Sequence, residues 1–233
     1  GTLIANKTGQ YVNMSGLWVF NEATGTTSPN LASPGTGNAV PQGAVATASD
    51  ALGRHIVGTA TYANYYATGL TGAQLGIGGA SARTIFMRVN PSALQDQGGV
   101  FSYGTGASNQ SLCLRSFDNR FLIDTGGELT LAQGVVARDA VATFVITYDG
   151  SLLKLHYNGA ASGAGYVQGN FALNTGSDAT FQIGRFQYGS NLLENKHAWH
   201  GKIYEVGVIA GQAWTAEQVA AYDAAPLAGM LSA

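Results

Sequence analysis

Glycosidase chemistry needs two carboxyl groups about 5–9.5 Å apart across a sugar. On a strand, acids at i and i+2 or i and i+4 would share one face and meet that need. The chain has 13 acidic residues, and no two stand at such spacing on a strand with a strong β pattern. Asp124 and Glu128 come nearest, but Gly126-Gly127 breaks the strand between them. A glycosidase is not expected, and the protein is read as a non-enzyme. Glu194, His197 and His200, in ENKHAWHGK, form an acid-x-x-His-x-x-His run. On a helix these would converge and could hold zinc. The stretch has no helical pattern and precedes a strand, so the reading is a polar loop with Trp199 packed on the body. No Gly-x-Ser-x-Gly elbow is present, and no His partners Cys113. Cys113 lies in SLCLRSF, an apparent strand, and reads as a buried, inert thiol.

Binding without chemistry asks for aromatic platforms beside amide and acid hydrogen bonders. Two stretches offer them. ATYANYYATG carries Tyr62, Tyr65 and Tyr66 near Asn64. FQYGSNLLENKHAWH carries Tyr188, Asn191, Glu194, Asn195 and Trp199. The glycan-binding candidates are Tyr188, Asn191, Glu194, Trp199, Tyr62, Tyr65 and Tyr66. The competing reading is that these aromatics fill the core or a subunit contact. Trp18 and Trp214 read as structural. Calcium needs six to eight oxygen ligands. Asp118, Asn119 and Glu22 are weak candidates to supply some, and no acidic cluster backs them. No cofactor is expected; calcium is the one ion these residues could serve.

Composition narrows the partners. Only 10% of the 233 residues are charged, far below the usual ~25%, and the net charge is −2. Such a surface has no electrostatic footprint for nucleic acid or anionic membrane. It suits a lattice contact or a neutral glycan. A single cysteine excludes an internal disulfide, so burial must hold the fold. No run of 18 apolar residues suggests a membrane helix, and membrane insertion is not expected. No leader is visible; Gly1 would follow a removed Met, a cleaved leader or a tag.

The elements that must position these residues are strands. The 33 glycines are scattered between short apolar runs and mark turns. FVITYDGSLLKLHYNG, residues 144–159, reads as a central hairpin: Phe144, Ile146 and Tyr148, then Leu153, Leu155 and Tyr157, face the core, with the alternate residues towards solvent. Asp149-Gly150 supplies its turn, and Asn158-Gly159 a second one. Further strands are expected at 16–20, 40–47, 55–66, 83–89, 99–103, 111–117, 120–124, 128–131, 171–173, 181–185 and 201–209. Asp118-Asn119 makes a tight turn. Residues 215–222, TAEQVAAY, carry a capping box, Thr215 with Gln218, and form the one short helix. Residues 1–14 read as an arm or edge strand, and 15–233 as one domain. The fold class is all-β: a two-sheet antiparallel jelly-roll sandwich with a short C-terminal helix.

Three blocks in this order resemble the laminin-G-like jelly-roll family of the concanavalin A-like lectin/glucanase superfamily. They are GLWVFNEATGTTSPN, FVITYDGSLLKLHYNG, and the run FQIGR, HGKIYEVGVI and AWTAEQVAAY. Where that family often has Asp after the opening block, Asn30 stands here, and Met87 stands where Trp is frequent. The resemblance implies two packed sheets with ligand-binding loops at one rim, and no single activity. The first functional reading is a non-catalytic display protein of an assembled particle. A phage virion component such as a head decoration, fibre or tail-associated module fits it, at the virion surface, with other subunits or a homo-oligomer as partners. The alternative is a secreted or cell-surface carbohydrate-binding module with neutral glycans as partners.

Overall fold

The structure, a computed structural model, describes residues 11–59, 61–92, 98–117, 120–126, 138–176, 180–187 and 197–226, with 129–135 described by backbone alone. Every strand pairing is antiparallel, and the strands form two sheets. The eight-stranded sheet runs β13 (Tyr166–Asn170), β12 (Leu152–Tyr157), β11 (Ala142–Tyr148), β6 (Arg83–Pro91), β15 (His200–Ala210), β4 (Gly53–Thr59), β3 (Ala46–Asp50). β1 (Met14–Trp18) also pairs with β15, beyond the end of β4. The seven-stranded sheet runs β10 (Leu129–Val135), β9 (Arg120–Asp124), β8 (Ser111–Phe117), β7 (Gly99–Gly104), β14 (Thr180–Ile183), β5 (Tyr65–Thr71), β2 (Val40–Gln42).

Alternation explains the core. Phe144, Ile146 and Tyr148 of β11 join Ile85, Met87 and Val89 of β6 on one inner face. Phe101, Tyr103, Leu112, Leu114, Phe121, Ile123, Phe181 and Ile183 supply the other. Trp18 is fully buried between them, stacked on Phe181 at 5.7 Å, and its Nε1 donates to Gly37 O at 3.0 Å. The expected jelly-roll sandwich with one short helix is the observed architecture. The hairpin pairs Tyr148 with Leu153, and the Asp149 carboxylate accepts from the Ser151 and Leu152 amides to close its turn. Asn158 and Gly159 both take positive φ, 49° and 72°, as the second turn requires.

Several expectations are corrected. Residues 40–47 are not one strand: Gly43, at φ 64°, turns the chain between β2 and β3, which lie in different sheets. Residues 55–66 likewise divide into β4 and β5, again in different sheets. Residues 171–173 are not a strand. Phe171 and Leu173 are instead pinned by Tyr148, whose hydroxyl donates to Phe171 O at 2.9 Å and accepts from Leu173 N at 3.1 Å. The strand there is β13, just upstream. Asn30 is fully buried and acts as a bracket: its Oδ1 accepts from Leu17 N and Ala32 N, and its Nδ2 donates to Ser15 O and Thr36 O. An Asp could accept there but not donate, so the amide is the group this loop needs. Asp118-Asn119 and residues 1–10 of the arm lie outside the described residues. Met14 already belongs to β1, and Tyr11 packs edge-on to Trp214 at 5.7 Å.

The outer set of the central hairpin does not face solvent as expected. Val145 and Thr147 are 1% exposed. A second apolar cluster covers this face, formed by Leu17, Phe86, Val145, Ile209, Trp214, Val219 and Tyr222 among others. Helix α1 (Ala216–Ala224) carries Val219 and Tyr222 onto it. The capping box is present as expected, with Thr215 N donating to Gln218 Oε1 at 2.9 Å and Gln218 N to Thr215 Oγ1 at 3.4 Å. Trp214 stacks on Phe86 at 5.1 Å, so it is structural, as expected, but in this outer layer. Gly207 makes that layer thin: it lies opposite Phe86 in the ladder, and a Cβ on it would overlap the Phe86 ring.

A bulge in β15 lets Tyr204 and Glu205 depart from simple alternation between Ile203 and Val206, which are both in the core. Glu205 is 1% exposed and accepts from the Tyr222 hydroxyl at 2.6 Å. Burial pushes its carboxyl up to about 7, against the opposing pull of that hydrogen bond and of Arg88. A raised carboxyl favours the neutral form in the fold, so its contribution is complete below the ordinary value of 4.5 and is lost as pH rises through 7. Denaturant melts of wild type and Glu205→Gln, each at pH 5 and pH 8, isolate this. The wild type should lose about 2.5 kcal/mol more than the variant across that interval; equal losses would refute the assignment. In the same assay Gly207→Ala should cost about 1–3 kcal/mol, because Phe86 must leave its place under Trp214.

Candidate functional site

The outer face of the seven-stranded sheet can be read from its register. Val40 lies across from Ala67, Ala67 from Gln182, Gln182 from Ser102, Ser102 from Cys113, and Cys113 from Asp124. The neighbouring pair Ile183–Phe101 is in the core, so this row points outward. One end of it is open: Val40 is 44% exposed, and Ala67 and Gln182 are half-buried. The other end is closed, with Ser102, Cys113 and Asp124 all buried.

Residues 185–187 close it. Gly184, at φ 92°, swings the chain off the end of β14. Arg185 then bridges to Ala198, Phe186 N donates to His197 O at 2.8 Å, and Trp199 N to Gly184 O at 2.9 Å. Ser102 Oγ donates to Arg185 O and accepts from Gln187 N. A Cβ on Gly99 would collide with the Phe186 backbone, so glycine is what permits this segment to lie so close to the sheet. Beneath it, Arg115 and Asp124 form an ion pair at 2.8 Å, and the Arg115 guanidinium lies 4.9 Å from the Phe186 ring. Cys113 is buried beside them, and burial raises its thiol, which agrees with the inert reading.

Arg185 joins the two stretches singled out in the sequence. Its guanidinium sits 3.3 Å from the Tyr65 ring centroid and 4.6 Å from that of Tyr62, and its Nε donates to Gln182 Oε1 at 2.6 Å. Tyr62 in turn lies edge-on to His197 at 6.4 Å. Stacking of this kind is worth about 0.5–2 kcal/mol per ring, more where water is excluded. Arg185 is only 7% exposed, so burial lowers its affinity for a proton while the tyrosine rings oppose that. Gln42 stands across from Tyr65 on the edge strand β2. The result is a neutral shelf of Tyr65, Gln42, Gln182, Ala67 and Val40, with a locked cation at its base. It offers a ring, two amides and apolar carbons, and can bind a ligand rich in hydroxyl groups.

The candidates divide accordingly. Tyr65 and Tyr62 belong to the shelf, Tyr65 half-buried and Tyr62 at 7% exposure. Tyr66 does not: adjacent strand residues face opposite ways, and Tyr66 packs inward on Phe20 at 5.2 Å with its hydroxyl donating to Thr26 O. Trp199 is packed on the body, as one reading held, and cannot be a sugar platform: it is 2% exposed and lies 5.8 Å from Phe121 in the core. Asn64 is spent on its turn, accepting from Ala44 N and donating to Thr59 Oγ1. His197 is fully buried and not part of a polar loop; its ring packs on Phe186 at 5.5 Å. Tyr188, Asn191 and Glu194 lie outside the described residues, as do Asp118 and Asn119 of the calcium set. Glu22 is half-buried, and among the described residues no group of three or more His, Cys, Asp or Glu side chains could hold a metal ion. The sequence reading missed Arg185, Gln182 and Gln42. A basic residue directly after the Gly that ends an alternating strand, in FQIGR, was the available signal.

The outer face of the eight-stranded sheet holds a separate polar cluster. Asp50 accepts from Lys202 Nζ at 2.7 Å and from the Tyr204 hydroxyl at 2.9 Å, and the ammonium holds its carboxyl well below the usual range. His55 packs on Tyr204 at 5.1 Å. Burial and Asp50 together raise the Tyr204 phenol. Each of these groups is committed to another, which describes a structural brace and not a reactive centre.

No protein-family model matches the sequence, and no match to a curated protein is found. Among solved structures, the fold is similar to domain 4 of an extracellular GH43 arabinanase from Geobacillus stearothermophilus, in complex with arabinotriose. The TM-score is 0.61 at 17% identity, covering 90% of this chain and 97% of that one. It is similar to a Trypanosoma rangeli sialidase mutant displaying trans-sialidase activity, with a TM-score of 0.59 at 14% identity over 89% of this chain; the match spans only 32% of the sialidase. It is also similar to the CBM40 of Ruminococcus gnavus IT-sialidase, with a TM-score of 0.54 at 14% identity over 69% of this chain and 92% of that one. At these identities the likeness is one of fold: a β-sandwich of the kind expected from the resemblance to lectin-like jelly rolls, with nothing that singles out the laminin-G branch.

Proposed function

We propose that this chain is a non-catalytic carbohydrate-binding module of an extracellular or cell-surface protein, taking neutral glycans on the Tyr65 shelf. The observation that carries the reading is the Tyr65 ring, backed by the Arg185 guanidinium at 3.3 Å and flanked by the Gln42 and Gln182 amides. A ring held by a cation cannot rotate away, so it meets a sugar already ordered and loses little entropy on binding. Apart from Arg185, which is 7% exposed, the shelf residues around it are uncharged, which suits hydroxyl groups over ions. Three described carboxylates are committed to partners, Asp124 to Arg115, Asp50 to Lys202 and Glu205 to Tyr222, which favours a role without catalysis. That domain 4 of the arabinanase was solved with arabinotriose makes arabino-oligosaccharides a sensible first ligand to try. The particle-display reading, with its virion surface and subunit partners, draws support from no described contact.

Calorimetric titration with neutral oligosaccharides, arabinotriose among them, tests the proposal. Saturable binding is expected, and Tyr65→Ala should weaken it by about tenfold or more, equivalent to ~1.4 kcal/mol. Arg185→Gln should weaken it too, by freeing the ring, while Lys154→Ala on the other sheet should change nothing. A broad neutral panel with no binder, or binding untouched by both shelf variants, would remove the reading.

A further inference from the structure

A second recess lies on the opposite side of the sandwich. It is a groove of about 380 Å³ on the outer face of the eight-stranded sheet, where β6 and β11 meet the end of α1. Arg88, Thr143, Asn158 and Asp223 bring polar groups to it, and Ala142 and Pro226 add short apolar walls. Two of these polar groups keep side-chain donors unspent among the described residues. Arg88 is half-buried, its guanidinium 5.6 Å from the Tyr204 ring centroid, and it makes no hydrogen bond or ion pair with any described residue. Glu205 stands across from it in the ladder, but spends Oε1 on Tyr222. Asn158 uses its Oδ1 to accept from Thr143 N at 3.0 Å, and its amide nitrogen has no partner among the described residues. Asp223 is half-committed: Oδ1 accepts from the Thr143 hydroxyl.

A guanidinium with its fork of N–H groups unspent, steadied on an aromatic ring, is built for a carboxylate. The Asn158 amide can donate to the same anion or to a hydroxyl beside it. Asp223 opposes a multiply charged anion such as phosphate, and its remaining oxygen asks for a donor. A ligand that answers all of these carries one carboxylate and neighbouring hydroxyl groups. We infer that this groove binds hydroxylated monocarboxylates, of which acidic sugars are the class that fits its volume. The groove shares no residue with the Tyr65 shelf, and the inference stands whether or not neutral glycans bind there.

NMR of the full isotope-labelled chain tests it, with galacturonate as the probe and galactose and acetate as comparators. Galacturonate should shift the Arg88 Nε–H and Asn158 side-chain signals saturably. Galactose should leave them unmoved, and acetate should bind at least about tenfold more weakly, lacking the hydroxyl contacts. Arg88→Gln and Asn158→Asp should each weaken galacturonate by about tenfold or more. The second variant keeps the acceptor for Thr143 N and tolerates the positive φ at this turn, so it decides the matter even if the first fails to fold. Absence of saturable shifts, an equal response to galactose or to acetate, or undiminished affinity in Asn158→Asp would overturn the inference.

Discussion

The guanidinium of Arg83 is the constraint on which one whole rim of the sandwich rests. It is fully buried, and no carboxylate pairs with it among its bonds. Nη1 donates to the Tyr103 hydroxyl and to Thr175 Oγ1, Nη2 to Gly79 O, and Nε to Ser81 O, while the plane lies 5.1 Å from the Tyr148 ring centroid. A buried charge is tolerable only when its donors are answered. Arg83 opens β6, and its partners come from β7, β11 and the loops that bridge Gly79 to Thr175, so satisfying one side chain ties both sheets together. A chain with so little charge has few such ties to use, and this one is placed where the sheets must meet.

The four best-defined arginines then form a series in how far their donors are spent. Arg83 is answered on every side and is structural. Arg115 is paired with Asp124 under residues 185–187, and it holds that covering segment through Phe186. Arg185 donates to Gln182 and lies against two tyrosines, with a hydrogen bond to Tyr65 as well, which orders a surface without neutralising it. Arg88 lies beside the Tyr204 ring and makes no hydrogen bond to a described residue, though its charge acts on Glu205 across the ladder. An unspent donor near the interior costs free energy, and among the described residues Arg115 carries one, its Nη1 being buried with no hydrogen-bond partner, while Arg88 is half-buried and its donors reach the groove.

What could be read from the sequence was local. The Thr215–Gln218 capping box spans one turn of helix, and the Asp149-Gly150 and Asn158-Gly159 turns need only their own residues, so all three were legible. Strand alternation was legible too, and with it the core face of the central hairpin. Which sheet a strand joins was not: the turn at Gly43 sends β2 and β3 to opposite sheets, and no periodicity encodes that. Nor could alternation say which of Tyr65 and Tyr66 faced outward, because either phase gives the same pattern. The site itself needed pairs far apart in sequence. Arg185 meets Tyr65 only because β14 pairs with β5, and Gly184 bends the chain at that junction. Val145 looked solvent-facing because its cover, Val219 and Tyr222, arrives from the far end of the chain.

The two recesses differ for a reason rooted in how each sheet is covered. On the seven-stranded sheet, residues 185–187 fold back over β7, and cross-strand neighbours towards β2 are left open. What is exposed there is the sheet's own alternation, which is neutral: Val40, Ala67, Gln182 and Tyr65. On the eight-stranded sheet the cover is an apolar layer seated by α1, and polar groups gather beyond it, in the Asp50–Lys202 brace and in the groove of Arg88, Asn158 and Asp223. The close-packed core stands between the two recesses, and a ligand in one touches no residue of the other. Any coupling would have to be carried through the packed side chains of that core. Two ligand chemistries on opposite faces of one rigid body would therefore act independently, and a polymer presenting both neutral and acidic sugars could engage this module only through separate segments or separate chains.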